Sequence, residues 1–175
     1  MASQAQVVMQ TADITTPLGT MLAAATGDGL CLLEFTDSNR AKAQSDKVRK
    51  LLGAETVNGK NSHLEELKRQ LDEYFAGKRK IFDLSLVLAG TPFQRAVWQT
   101  LRTIPYGKTI SYKEEAQRIG RPTAIRAVAR ANGANPISIV IPCHRVIGKN
   151  GNLVGYGGGL GRKQWLLDLE RGHVG

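Results

Sequence analysis

The sequence predicts an α+β protein: a small sheet-plus-helices domain over residues 1–87, then a mainly helical domain over residues 88–175 that contains a helix-turn-helix. Three observations predict it. Short apolar runs broken by turn signals fill the first 35 residues, capped helical patterns dominate from Asn39 onward, and charge divides unevenly between the halves. Residues 1–90 hold 11 Lys and Arg against 11 Asp and Glu, whereas residues 91–175 hold 13 against 4, so the whole net charge of +9 lies in the second half. Such a surplus fits a polyanion partner, because neutralised phosphates release condensed counterions. It fits equally a basic surface kept for solubility.

At 175 residues with 42% hydrophobic and 22% charged content, the chain has enough apolar material for a sizeable core. No apolar run approaches the roughly 20 residues of a spanning helix. Cys31 and Cys143 lie far apart, without CxxC or zinc-ligand spacing, and the N-terminus has no signal-peptide pattern, so free thiols in a reducing cytoplasm are expected.

In the first half, Thr16-Pro17-Leu18-Gly19 and Gly27-Asp28-Gly29 flank the runs Met21–Thr26 and Leu30–Phe35, which read as a hairpin or meander. Asn39–Leu52 reads as a polar helix. Ser62–Ala76 reads as a stronger one, with Leu64, Leu67, Leu71 and Phe75 on one stripe, a capping box from Ser62 and Glu65, and Gly77 as its stop. His63 follows the cap and reads as a solvated surface residue, and nothing in this half looks catalytic.

The second half opens with Thr91 as a cap, Pro92 at the first helical position and Gln94 reaching back, before Phe93, Val97, Leu101 and Ile104 recur at helical spacing up to Pro105. Ser111 and Glu114 repeat the capping pattern and start a helix through Ile119. Gly120 ends it, Arg121-Pro122 follows, and a second helix is expected over Thr123–Ala131. Two short helices about a tight turn match a helix-turn-helix, with Thr123, Arg126, Ala127 and Arg130 as the DNA-facing candidates. Small residues around one arginine also suit a minor groove with an extruded base, and the pattern does not choose the groove.

Pro136 then introduces Ile137–Ile141, which reads as a buried strand broken by Pro142, with Cys143, His144 and Arg145 immediately beyond. A thiol beside basic groups is the setting in which a cysteine pKa falls and its nucleophilicity becomes usable. A buried cysteine next to a surface His and Arg fits the same three residues, since neighbours on a strand point to opposite faces. Beyond Glu115 the acids are Asp168 and Glu170, on an amphipathic helix Arg162–Arg171 whose core stripe is Trp165, Leu166 and Leu169. Glu170 borders that stripe as a candidate to orient His144, and Asp168 reads as solvated. Gly155-Tyr156-Gly157-Gly158-Gly159 lacks dinucleotide spacing and suits a loop wrapped over a flat ligand, so no nucleotide cofactor is expected.

Taken together, Ile141-Pro142-Cys143-His144-Arg145-Val146 resembles the active-site signature of the O6-alkylguanine-DNA alkyltransferases. Thr91–Ile104, Ser111-Tyr112, Arg126-Ala127-Val128, Asn135-Pro136, Gly155-Tyr156 and Lys163–Glu170 resemble the family pattern in the same order, over roughly residues 88–171. The resemblance implies an N-terminal domain of ribonuclease H-like form and single-turnover transfer of an alkyl group from O6-alkylguanine in double-stranded DNA to Cys143, with O4-alkylthymine a further substrate to test. It implies that His144 is the base through a bridging water, that Glu170 orients it, and that Asn135 holds the turn beside the cysteine. Tyr112 would hydrogen-bond the flipped guanine, Arg126 would fill its place in the stack, and Tyr156, Gly157 and Gly158 would form a lid. The carbonyls of Cys143 and Val146 would accept from the guanine amino group. Gly157 stands where some relatives have serine, a change expected to cost little. The zinc ligands of certain relatives are absent, so no metal and no other cofactor is expected.

Three other readings use the same residues. A lesion-binding relative without transfer lacks the acceptor cysteine that this chain has; a regulator would need operator and dimer symmetry, yet no zipper or dimer helix is apparent and the free chain is expected to be monomeric; a cysteine hydrolase would use Cys143, His144 and Glu170 differently.

Overall fold

The computed structural model describes residues 6–173. Its N-terminal sheet has four strands in the order β3-β2-β1-β4, where β1 is Val7–Thr16, β2 Gly19–Ala25, β3 Leu30–Phe35 and β4 Ala54–Thr56. The meander β1-β2-β3 is antiparallel, as the two turn signals require, and β4 joins β1 in parallel after helix α1 (Arg40–Leu52) crosses over. Helix α2 (Ser62–Phe75) buries Leu64, Leu67 and Leu71 of the expected stripe, but Phe75 is only half-buried and its neighbour Tyr74 is buried in its place. Its cap is not the Ser62–Glu65 box: the Asn61 side chain accepts from the His63 backbone N–H, one residue earlier. His63 is half-buried rather than solvated, and its Nε2 donates to the Gly27 carbonyl at 3.0 Å.

The C-terminal helices are α3 (Pro92–Leu101), α4 (Tyr112–Arg118), α5 (Ile125–Gly133) and α6 (Leu160–Glu170), with a two-stranded parallel pair β5 (Ile110–Ser111) and β6 (Val146–Ile147) between them. Thr91 and Gln94 form the full capping box of α3, and Ser111 caps α4. Helix α5 begins two residues later than the sequence pattern indicates, because the Ala124 N–H bonds to the Arg121 carbonyl in a turn before the helix proper. In α6, Leu166, Leu167 and Leu169 are buried while Trp165 is half-buried against Phe75, with ring centroids 5.7 Å apart.

One apolar core crosses both units. Strand β3 joins it: the Leu33 N–H donates to the Pro136 carbonyl and the Ser138 N–H donates back to Leu33, each at 2.9 Å. On the same edge of β3, away from β2, Leu30 exchanges backbone bonds with Ser85 and Val87, so this edge strand is covered at its start and at its middle. No helix among the described residues is long and apolar enough to cross a membrane.

Candidate active site

The segment read as a buried strand, Ile137–Ile141, is not one. A single bridge ties Ile137 to Leu33, and then two three-residue turns follow: the Val140 N–H bonds to the Ser138 carbonyl at 2.8 Å, and the Cys143 N–H to the Ile141 carbonyl at 2.8 Å. The first places Ile139 at φ +72°, a strained conformation for a β-branched residue, and the second is centred on Pro142 at φ −82°, ψ 63°. Asn135 fastens both turns. Its Oδ1 accepts from the Ile137 N–H at 2.9 Å, and its Nδ2 donates to the Ile141 carbonyl at 2.8 Å and to Cys143 Sγ at 3.3 Å.

Cys143, His144 and Arg145 then form one 3-10 turn, which removes the strand objection that neighbours must diverge. Cys143 is half-buried against the cleft, while His144 points into the protein and is fully buried. His144 Nε2 donates to Glu170 Oε2 at 2.7 Å, so its lone pair is left on Nδ1, which has no protein partner. Glu170 is a hub: it also accepts from Arg145 Nε at 2.7 Å and Nη2 at 3.1 Å, from the Tyr74 hydroxyl at 2.6 Å and from the Gly107 N–H at 3.2 Å. Burial by itself raises this carboxyl, but the His144 hydrogen bond and the Arg145 charge overcome it and hold Glu170 well below the usual carboxylate range. Asp168 is half-buried and takes a 2.8 Å bond from Gln164.

The expectation of a depressed cysteine pKa is corrected here. Burial pushes the Cys143 thiol up to about 11, outweighing the Asn135 hydrogen bond and the charges of Lys163 and Arg40. Arg145 does not lower it because its guanidinium is consumed by Glu170. Burial likewise lowers His144 below the ordinary imidazole value, so the imidazole is neutral at rest.

A cleft of about 380 Å³ opens in front of the sulfur and brings together Tyr112, Asn135, Cys143, Tyr156 and Gly157 of the expected residues. The Tyr112 hydroxyl, pushed up to about 12 mainly by burial, now donates to the Val154 carbonyl at 2.9 Å. Val146 is fully buried in β6, so its side chain belongs to the core and only its backbone is available. Thr123, Arg126, Ala127 and Arg130 are all exposed outside the cleft, on α5 or just before it. Among the described residues, no group of three or more His, Cys, Asp and Glu is placed to hold a metal ion.

Several contributors had no signal in the sequence. Arg40, from the half read as non-catalytic, lines the cleft; its Nε donates to the buried Glu34 carboxylate at 2.9 Å, and its Nη2 donates to the Gly133 carbonyl at the end of α5. It occupies the place that a side chain at Gly157 would take, with Cζ 2.5 Å from the ideal Cβ position, so a serine there must displace the guanidinium. Gly158 lies tight against Phe35 and Tyr156. Arg162 reaches across from α6 to Asp37, to the Leu18 carbonyl and over the Phe35 ring at 3.9 Å. Lys163 is wholly buried, its Nζ donating to the Val154 and Gly155 carbonyls at 3.0 and 3.2 Å. The glycine loop is thus strapped down from both units. Several of these contacts, such as Arg40 to Gly133 and Arg162 to Leu18 and Asp37, join residues far apart in the chain, which periodicity does not register.

An α+β frame that sets a cysteine cleft beside a helix-turn-helix defines a class of two-part, cysteine-centred proteins. The family model for the 6-O-methylguanine DNA methyltransferase ribonuclease-like domain matches residues 10–88, and that for the DNA binding domain matches residues 92–172. A methylated-DNA--protein-cysteine methyltransferase of Mycolicibacterium paratuberculosis is 64% identical over 104 residues, a match spanning 59% of this chain and 63% of that protein. The protein of the same name from Mycobacterium leprae is 46% identical over 158 residues, 90% of each chain. The crystal structure of Mycobacterium tuberculosis O6-methylguanine methyltransferase, 42% identical, has a TM-score of 0.79 and covers 97% of this chain and 96% of that one; a structure of the Mycobacterium tuberculosis protein in complex with DNA also scores 0.79, over 95% and 94%. The chain belongs to the 6-O-methylguanine DNA methyltransferase family.

Proposed function

We propose that this chain repairs alkylated DNA by direct reversal, moving a methyl or larger alkyl group from guanine O6 in duplex DNA onto Cys143 once per molecule. The observation that carries the reading is a thiol at the wall of a cleft, with a neutral, carboxylate-oriented imidazole directly behind it. Because the thiol is protonated at rest, His144 must remove its proton as the reaction begins, and its open Nδ1 is the acceptor, reached through one water. The sulfur attacks the alkyl carbon, the carbon–O6 bond breaks, and the thiol proton is finally carried by the released guanine. Tyr112 assists the departing base by exchanging its bond to the Val154 carbonyl for one to the purine. The thioether that remains has no second thiol nearby to displace it, since Cys31 is buried in β3.

The alkylated oxygen is out of reach inside the stack, and extrusion costs about a few kcal/mol of unstacking. Exposed α5 residues Arg126, Ala127 and Arg130, with Thr123 before them, are the groups we assign to DNA, Arg126 filling the vacated place. Tyr156, Gly157 and Gly158 close over the base, whose amino group meets the Cys143 and Val146 carbonyls. We place the working protein in the cytoplasm, where its two free thiols persist. We also take residues 1–87 and 88–175 as its two domains, a division supported by the pairing of residues 85–87 with β3. The test is incubation with duplex DNA carrying O6-methylguanine, followed by intact-mass and peptide mapping. One methyl group on the Cys143 peptide is expected; unchanged mass, multiple turnovers or methylation elsewhere refutes the reading.

A further inference from the structure

Among the described residues, four buried polar side-chain atoms lack a hydrogen-bond partner: His144 Nδ1, Tyr156 OH, Glu115 Oε1 and Asn132 Oδ1. The first two belong to the site around Cys143. The other two belong to one pair that the chemistry above does not use. Asn132 Nδ2 donates to Glu115 Oε2 at 2.6 Å, joining α5 to α4, the two helices of the helix-turn-helix. Both side chains are buried, Glu115 completely.

We infer that Glu115 is carried as the neutral carboxylic acid, its proton donated from Oε1 to Asn132 Oδ1, so that acid and amide close a ring of two hydrogen bonds that locks α4 to α5. The inventory of donors leads there. An ionised carboxylate beside this amide leaves two buried acceptors facing no donor, whereas one added proton satisfies both. The surroundings provide no counter-charge. The neighbouring elements contribute Val97, Trp98 and Leu101 from α3, Val128 and Ala131 from α5, and Val146 from β6, all buried and apolar or aromatic. Arg118 pairs with Glu114 at the surface, and Arg126 and Arg130 are exposed; Tyr112, the first residue of α4, is the titratable group that feels the Glu115 charge. Desolvation pushes the Glu115 carboxyl up to about 7, against the lowering effect of the Asn132 bond.

Glu115 is therefore a positioning residue. Asn132 also lines the cleft, Tyr112 begins α4 and Arg126 rides on α5, so loss of the proton loosens the pocket wall and the DNA-facing helix together. This consequence for DNA rests on the proposed function, whereas the titration does not.

Carbon-13 NMR of the glutamate carboxyls in the intact, DNA-free chain decides the protonation, with the Glu115 signal assigned by its loss in Glu115→Gln. A carboxyl carbon that titrates near 7 is expected. An unfolded glutamate ionises near 4.3, so the folded chain holds an extra proton from there up to about 7, and stability falls as pH rises through that window. Glu115→Gln closes the same ring with a carboxamide that has no proton to lose, so this part of the pH dependence should vanish. Glu115→Leu, which strands the Asn132 amide, should be less stable at every pH. A Glu115 carboxyl titrating at or below the ordinary glutamate value overturns the inference, as does an identical pH dependence in wild type and Glu115→Gln; should the variant fail to fold, through-bond assignment of the Glu115 carboxyl in the wild type lets its titration decide. If the carboxyl titrates as expected while affinity for DNA ignores it, the ring stands and its positioning of the DNA-facing helix falls.

Discussion

Cys31 and Cys143 are both withheld from water, and burial pushes both thiols up, to about 12 and about 11. Their resting acidity barely separates them, yet their surroundings have little in common. Cys31 Sγ sits inside β3 at 3.4 Å from the Ala24 carbonyl, fully buried in an apolar cluster with Met9, Leu32 and Val48. Cys143 has an open cleft before it, an amide donor 3.3 Å from its sulfur and a His144–Glu170 pair behind it. On the proposed function, reactivity is a matter of access and of a base that acts on demand, while the thiol stays protected as S–H between encounters. A permanently formed thiolate would be open to oxidation and to stray electrophiles.

The largest effect that tests this contrast is exchange of the sulfur itself. Cys143→Ser should abolish transfer to the detection limit of intact-mass measurement while keeping affinity for DNA, and Cys31→Ser should still accept one methyl group; a methylated Cys31 would reverse the assignment. Next comes the base. His144→Gln should slow single-turnover transfer by about 10²–10⁴-fold, the usual contribution of a positioned base. Since burial lowers His144, the wild-type rate should hold as pH falls to the ordinary imidazole value of about 6.5 and decline only below it. A decline already centred above 6.5 would mean that the imidazole is not held neutral.

Access is the third contrast, and it gives the smallest effect. If Arg126 fills the gap left by an extruded guanine, Arg126→Ala should slow repair of duplex DNA more than repair of free O6-benzylguanine, and a bulge or an opposing abasic site should restore part of the loss. A phosphate contact would instead weaken all duplexes alike and lower the salt slope by roughly one unit. Equal losses on duplex, bulge and free base would remove Arg126 from extrusion altogether.

Much of the local chemistry was legible in the sequence where partners lie within one or two turns, the cap of α2 excepted. The capping box of Thr91 and Gln94, the extent of α1 and the stripe of α2 follow from spacing alone. The Glu170–His144 contact was within reach because Glu170 borders an amphipathic stripe and few other acids follow Cys143. Ile137–Ile141 misled because five apolar residues look alike whether they extend or turn, and only the Asn135 side chain distinguishes the cases. The direction of the Cys143 shift was hidden for another reason: sequence displays the charged neighbours but not that Glu170 consumes Arg145. Glu34, Arg40 and Lys163 are buried or half-buried polar groups whose partners lie outside any helical or strand repeat, in loop carbonyls such as Val154 and Gly155 or across the chain at Gly133 and Ser138, and no pattern flags them.

The Glu170 hub has a consequence for how the protein is made. Synthesis proceeds from the N-terminus, so Cys143 and His144 leave the ribosome before the carboxylate that orients the imidazole and neutralises Arg145. Until α6 docks and Tyr74, Gly107, His144 and Arg145 converge on Glu170, the nascent chain carries the Cys143 sulfur without the oriented imidazole that we propose as its base. On the proposed function, the nucleophile is in this way armed only after the sheet and the DNA-facing helices that precede α6 have been made.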